Sequence, residues 1–117
     1  MCLMLLVDDN DFVRECVAAI LASLGHKIIY AVDGLEALTI YKAMYPMIRL
    51  VLMDIAMPKM DGIAATRAIK EAYPNAKVIL MSGHADQLCP PEADAFLPKP
   101  FKGKTLCEIV ERVLKMA

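Results

Sequence analysis

Five short apolar runs, interleaved with stretches of helical period, constrain this chain more than any other feature of its sequence. The runs are Leu3 to Val7, Lys27 to Val32, Leu50 to Met53, Lys77 to Met81 and Ala95 to Leu97. Strand-length runs alternating with amphipathic stretches describe βα units wound around a parallel sheet. The first, third and fourth runs are nearly continuous in Leu, Met, Val and Ile, as strands covered by helices on both faces must be. Five parallel strands are therefore the expected sheet.

The clearest helix lies between the first two runs, where Phe12, Val13, Cys16, Val17, Ile20, Leu21 and Leu24 fall on one stripe and Gly25 ends it. A second helix begins at Asp33, which can cap it, with Glu36 placed to complete a capping box, and runs to about Tyr45 before Pro46. A third opens near Asp61 and Gly62 and stops before Pro74, and a last one carries Leu106, Ile109, Val110, Val113 and Leu114 at core spacing. The interval from Ser82 to Lys99 breaks this rhythm. Its 16 intervening residues include Pro90 and Pro91, which cannot lie inside a regular helix. The crossover helix there should be one turn or absent, which would uncover one face of the last two strands and expose Ile79, Met81 or Leu97 to solvent or to a partner, with self-association or elevated mobility as the expected result.

At 117 residues and 58% hydrophobic, the chain has the size of one compact domain and is too apolar for disorder. A net charge of -1 supplies no global field toward nucleic acid or anionic lipid. Met1 to Val7 and Cys16 to Ala22 are the longest unbroken apolar runs, far short of the roughly 20 residues that a membrane span needs. With no basic segment ahead of Met1 to Val7, a secretory signal is not expected either, and the cytoplasm is the expected compartment. Cys2, Cys16, Cys89 and Cys107 form no C-x-x-C pair, which argues against zinc or a disulfide framework and for small buried hydrophobes in a reducing environment.

Right-handed crossovers bring every strand's C-terminal end to one edge of the sheet, where open α/β folds bind ligands. That edge should carry Asp8 and Asp9 after the first strand, Asp54 after the third, Ser82 after the fourth and Lys99 after the fifth. Singly, each is an ordinary turn or capping residue. Jointly they are not, because two unit charges 4 Å apart repel by about 1 to 4 kcal/mol at surface-like dielectric, and three crowded carboxylates need a cation. All-oxygen ligands in a half-open site favour Mg²⁺. One carboxylate can then act as nucleophile toward a phosphoryl group while a lysine and a hydroxyl hold its oxygens. Asp54, alone on the central strand, suits that role, and the adjacent Asp8 and Asp9 suit a cation.

These residues sit in four stretches, LLVDDN at 5–10, LMDIAMPKMDG at 52–62, ILMSGH at 79–84 and FLPKPF at 96–101. Together they make the chain resemble the receiver domain of response regulators in two-component signalling, over 1–117. The resemblance implies a doubly wound, flavodoxin-like α/β fold whose five-stranded parallel sheet has the order 2-1-3-4-5. It implies Asp54 as phosphoacceptor, with Mg²⁺ bound by Asp9, Asp54 and the backbone carbonyl of Ala56, and Asp8 acting chiefly through water. Ser82 would bond the phosphoryl group and Lys99 would pair with it, ahead of a Lys-Pro bond that the family typically holds cis. Phe96 stands where the family keeps the aromatic that turns inward with Ser82, and Ala56 and His84 stand where side chains gate the water that removes the phosphoryl group.

The implied partner is a sensor histidine kinase or phosphotransfer protein, with a conformational switch passing the signal on to a partner or output domain. Homodimerisation is an additional expectation; direct contact with nucleic acid or membrane is not. Such a domain is not an enzyme in the usual sense, although it assists its own phosphorylation and dephosphorylation. The shortened or missing fourth helix departs from the family, which uses that helix with its fifth strand and fifth helix as an output face. A haloacid-dehalogenase-type phosphatase would want a second Asp where Ala56 stands, and no glycine-rich nucleotide loop occurs. The rival reading is an interaction module that keeps this fold and works without phosphorylation; losing an acid, Ser82 or Lys99 would have favoured it.

Overall fold

In the computed structural model, which describes residues 2–84 and 89–116, each apolar run is a strand. The strands are β1 (Leu3–Val7), β2 (Lys27–Ala31), β3 (Ile48–Asp54), β4 (Val78–Ser82) and β5 (Ala95–Pro98). They form one parallel sheet in the order β2-β1-β3-β4-β5. Helices α1 (Asp11–Ser23), α2 (Gly34–Met44), α3 (Gly62–Ala72) and α4 (Gly103–Leu114) cover its two faces. This is the doubly wound flavodoxin-like architecture.

Alternation along the strands divides the core into two layers, with one break in β3, where a register shift at Arg49 puts Ile48 and Leu50 in opposite layers. Met4 and Leu6 of β1, Leu50 and Leu52 of β3, and Ile79 and Met81 of β4 face one way, against Val17 and Leu21 of α1 and Leu106 and Val110 of α4. Leu5, Val7, Val51, Met53, Val78 and Leu80 face the other way, against Ala37 and Tyr41 of α2 and Ala65 and Ile69 of α3. Each fully buried Leu or Ile side chain contributes about 1.5–3 kcal/mol of hydrophobic free energy, so these two layers dominate the driving force.

The helix starts follow from short polar side chains. Asn10, Asp33 and Asp61 cap α1, α2 and α3 by accepting from the N–H groups of Val13, Glu36 and Ala64 at 3.0, 2.8 and 2.8 Å. Glu36 closes the expected capping box one residue early, accepting from the N–H of Val32 at 3.3 Å.

Three expectations need correction. Phe12 and Leu24 are exposed, as is Cys16, so the apolar stripe of α1 is wider than the face it buries. The cysteines are not core residues: Cys16 and Cys89 are exposed and Cys2 and Cys107 half-buried, all as free thiols. Ile79, Met81 and Leu97 are fully buried, because they point toward α1 and α4 and away from the face on which a β4–β5 crossover would pack.

Among the described residues no helix lies between β4 and β5; residues 85–88, where a single turn could fall, are outside them. The strand face on that side is covered from within the chain. Ala93 and Phe96 pack on the α2–α3 layer beside Leu80, which is fully buried. Asp94 fastens this cover, with its N–H donating to the Val78 carbonyl and its carboxylate accepting from the Val78 N–H and the Lys70 ammonium, all at 2.8 Å. The uncovered face that argued for self-association is therefore not present among the described residues.

Candidate functional site

The ends of β1, β3, β4 and β5 converge as expected. Asp8 directly follows β1 and is fully buried, with its N–H on the Ala31 carbonyl at 3.2 Å and its carboxylate accepting from the Asn10 N–H at 2.9 Å. Arg14 of α1 donates to the Asp8 carbonyl at 2.6 Å, fixing the turn between β1 and α1. Asp9, next in the chain, is exposed. Asp54 closes β3 and is only 8% exposed. One carboxylate oxygen each from Asp8, Asp9 and Asp54 lies within 4.8 Å of the others.

Lys99 enters from the far side of the sheet edge. Its ammonium lies 2.9 Å from Asp8 and 3.2 Å from Asp54, and its backbone N–H donates to the Ser82 carbonyl at 2.7 Å. The Lys99–Pro100 peptide is cis, as the resemblance implied. Three carboxylates against one ammonium leave the cluster with two uncompensated negative charges. Oxygen donors from three acids with that deficit fit a hard divalent cation, and no thiol or imidazole belongs to the group.

Titration behaviour follows this crowding. Burial raises the pKa of Asp54 above its ordinary value; the Lys99 charge and hydrogen bond oppose the rise, while the charges of Asp8 and Asp9 add to it. For Lys99, burial alone would lower the pKa, but the hydrogen bonds and charges of Asp8 and Asp54 outweigh it and hold the ammonium above the ordinary lysine value.

The remaining candidates surround this cluster. Ser82 is buried at the end of β4, and its hydroxyl oxygen accepts from the N–H of the exposed His84 at 3.1 Å. Ala56 is exposed in the turn after β3, with nothing bulky of its own beside Asp54. That turn is pinned by the Ile55 N–H on the Met81 carbonyl at 2.9 Å and the Gly62 N–H on the Ile55 carbonyl at 2.8 Å. Phe96 is half-buried on β5 and packs into the α2–α3 layer. Asp8, Asp9, Asp54 and Lys99 are thus brought together, with Ser82 tied to them through the Lys99 backbone.

Two contributors were missed in the sequence. Arg14 is the sole basic residue of α1, a signal too general to assign it to the Asp8 carbonyl. Gly62, half of an Asp-Gly pair, was read as a helix start, but its lack of a side chain is what allows α3 to approach Asp54.

The family model of the response regulator receiver domain matches residues 4–111. The chain is 40% identical over 117 aligned positions to the chemotaxis protein CheY of Treponema pallidum, covering 95% of this chain and 81% of that protein. It is 36% identical over 116 positions to the sensor kinase CckA of Brucella abortus, covering 95% of this chain but 12% of that protein. Its backbone is similar to a chain in the crystal structure of the CheX-CheY-BeF3-Mg²⁺ complex from Borrelia burgdorferi. The TM-score is 0.92 at 36% identity, over 98% of this chain and 90% of that one. Among the described residues no helix is long and apolar enough to cross a membrane.

Proposed function

The chain belongs to the response regulator receiver family of two-component signalling, and from that premise we propose that residues 1–117 act as one phosphoacceptor switch with Asp54 as the acceptor. The observation that carries this reading is the Lys99 ammonium bridging Asp8 and Asp54 within the three-acid cluster.

Asp9, Asp54 and the Ala56 carbonyl would hold Mg²⁺, with Asp8 acting through water. The ion, when bound, supplies positive charge against the phosphoryl oxygens and relieves the crowding of the acids. The rest of the chemistry falls to the chain itself. A carboxylate oxygen of Asp54 forms the bond to phosphorus as the bond to the donor's imidazole nitrogen breaks. Burial favours this attack by stripping water from the carboxylate, and its raised pKa reflects the same desolvation. Lys99, held charged by its two acidic neighbours, is placed to turn from them to a phosphoryl oxygen once a new anion arrives. The Ser82 hydroxyl can donate to another phosphoryl oxygen while its oxygen accepts from His84.

Because the Lys99 N–H binds the Ser82 carbonyl, a shift of the end of β4 toward the phosphoryl group draws on β5 and on Phe96. That is the proposed switch, and in it the domain serves a partner or output domain as a relay that assists its own phosphorylation and dephosphorylation. A sensor histidine kinase or phosphotransfer protein is the proposed donor, in the cytoplasm, with neither nucleic acid nor membrane as a direct partner. The CckA match supports a kinase-linked role, and the free thiols support a reducing compartment.

Incubation with Mg²⁺ and acetyl phosphate, followed by intact mass measurement, tests the reading. One added phosphoryl group is expected in the parent and none in Asp54→Asn. An unlabelled parent would favour the phosphorylation-independent interaction module instead.

A further inference from the structure

The apolar stripe of α1 has two ridges with different fates. Val17 and Leu21 are buried in the core, whereas Phe12, Cys16 and Ile20, four residues apart on the adjacent ridge, are exposed or only half-buried. Phe12 is the extreme case, at 72% exposed. This second ridge lines a groove of about 420 Å³ together with Phe101, after β5. Gly83 and Lys99 line the same groove. Among the described residues its lining is therefore mostly apolar and includes one cationic residue, Lys99, which belongs to the phosphoryl site.

A cavity of about 150 Å³ suffices for benzene, so the groove accommodates a short alkyl chain or a ring with space to spare. An anionic head joined to an apolar tail matches this layout. The reacting end of such a molecule is fixed by Lys99, which lies 3.2 Å from Asp54. We propose that the groove seats the apolar tail of an acyl phosphate, making medium-chain acyl phosphates better phosphoryl donors to this protein than acetyl phosphate.

The inference rests on Asp54 being the phosphoacceptor. In the transfer, an Asp54 oxygen forms a bond to phosphorus while the bond from phosphorus to the bridging acyl oxygen breaks. The fatty carboxylate leaves with the electron pair and needs no proton. The tail touches the groove equally before and during this step. It should therefore lower the donor concentration needed for half-maximal labelling and leave the maximal rate alone.

The test compares acetyl with hexanoyl phosphate, in Mg²⁺, by intact mass against time. Their leaving carboxylates are nearly equally basic, so the ratio of second-order labelling rates reports the groove. We expect a ratio on the order of tenfold or more in favour of hexanoyl phosphate, as burial of several methylenes provides. The ratio should fall toward one in Phe12→Ser and in Cys16→Glu, both at exposed positions where folding has little at stake. A second readout needs no transfer: hexanoylphosphonate, whose P–C bond does not transfer, should slow iodoacetamide alkylation of Cys16 and leave that of Cys89 unchanged.

A parent ratio near one overturns the proposal and is the result expected of a groove that serves only a macromolecular partner. So does a ratio that neither substitution changes, or an unprotected Cys16. In each of these outcomes labelling of Asp54 by acetyl phosphate can still succeed, whereas labelling by neither donor removes the phosphoacceptor reading as well.

Discussion

A Cβ placed on Gly62 would stand 2.2 Å from the carbonyl oxygen of Asp54, so the first residue of α3 and the last of β3 meet at a distance that no side chain permits. The obstructing atom is backbone in a central strand, which cannot yield without moving Asp54. Gly62→Ala is expected to cost about 1–3 kcal/mol, in the range of overpacking strain. It should also slow acetyl phosphate labelling, because the strand end that shifts is the one that carries Asp54. Urea denaturation and intact mass measure the two effects.

Asp54 itself should destabilise the fold when ionised. Its folded pKa is raised above the value of 3.8, chiefly by burial, so the folded state keeps this proton to higher pH than the unfolded chain does. Stability contributed by this group therefore falls as pH rises from the unfolded pKa through the folded one, and stays lost above it. Asp54→Asn has no proton to release. In metal-free buffer at neutral pH it should melt higher than the parent, and the difference should shrink as pH falls toward 4; a lower melting temperature at neutral pH would contradict the burial argument.

Mg²⁺ should reverse part of that cost. A ligand at a hundredfold excess over its Kd stabilises the state that binds it by about 2.7 kcal/mol. The parent should gain in melting temperature with Mg²⁺, and Asp9→Asn, altered at the exposed acid of the cluster, should gain far less. Equal gains in both would place the ion elsewhere.

The strand ends were legible because the apolar runs stop at charged residues: Val7 gives way to Asp8, and Met53 to Asp54. The start of β3 was not, since Arg49 interrupts the apolar pattern between Ile48 and Leu50 and falls at a register shift, where Leu3 pairs with Ile48 and Met4 already with Leu50. The side to which Ile79, Met81 and Leu97 point could not be read either. A strand apolar at every position has no polar face to set its parity. In α1, periodicity marks a stripe but cannot separate a core ridge at Val17 and Leu21 from a groove ridge at Phe12 and Cys16. The Asp8, Asp9, Asp54 and Lys99 cluster was found because topology alone brings strand ends together. The Gly62 approach to Asp54 needs atomic distances.

The persistence of the phosphoryl group should depend on Ala56. Ala56 is exposed, two positions beyond Asp54, and has only a methyl group to offer against water that would approach the proposed acceptor. Ala56→Tyr is expected to slow loss of the phosphoryl group several-fold after the donor is removed, as followed by intact mass. His84→Ala tests the other flank, where the backbone N–H bound to Ser82 survives the substitution and only the imidazole is lost. Unchanged lifetimes in both variants would remove these side chains from the hydrolytic step.

The cover over the β4–β5 face beside α3 should depend on one acid above its neighbours. Asp94 carries two bonds with its carboxylate, to the Lys70 ammonium and to the Val78 N–H, each at 2.8 Å, and its side chain is only 11% exposed. Glu92 meets Arg67 at 3.2 Å on the same side of α3, but with side chains 36% and 57% exposed. Removing one member of a buried pair strands the other charge and costs about 3–5 kcal/mol, whereas an exposed pair is worth roughly 0–1 kcal/mol. Asp94→Ala should therefore destabilise most, since it leaves both the Lys70 ammonium and the Val78 N–H without a partner. Lys70→Met should cost less, because the methionine removes the charge, retains the apolar stem and leaves Asp94 its backbone bond. Arg67→Ala should fall within about 1 kcal/mol of the parent. Urea midpoints for the three variants rank them. Asp94→Ala matching Arg67→Ala would mean that the turn from Pro90 to Asp94 is held by the packing of Ala93 and Phe96 alone.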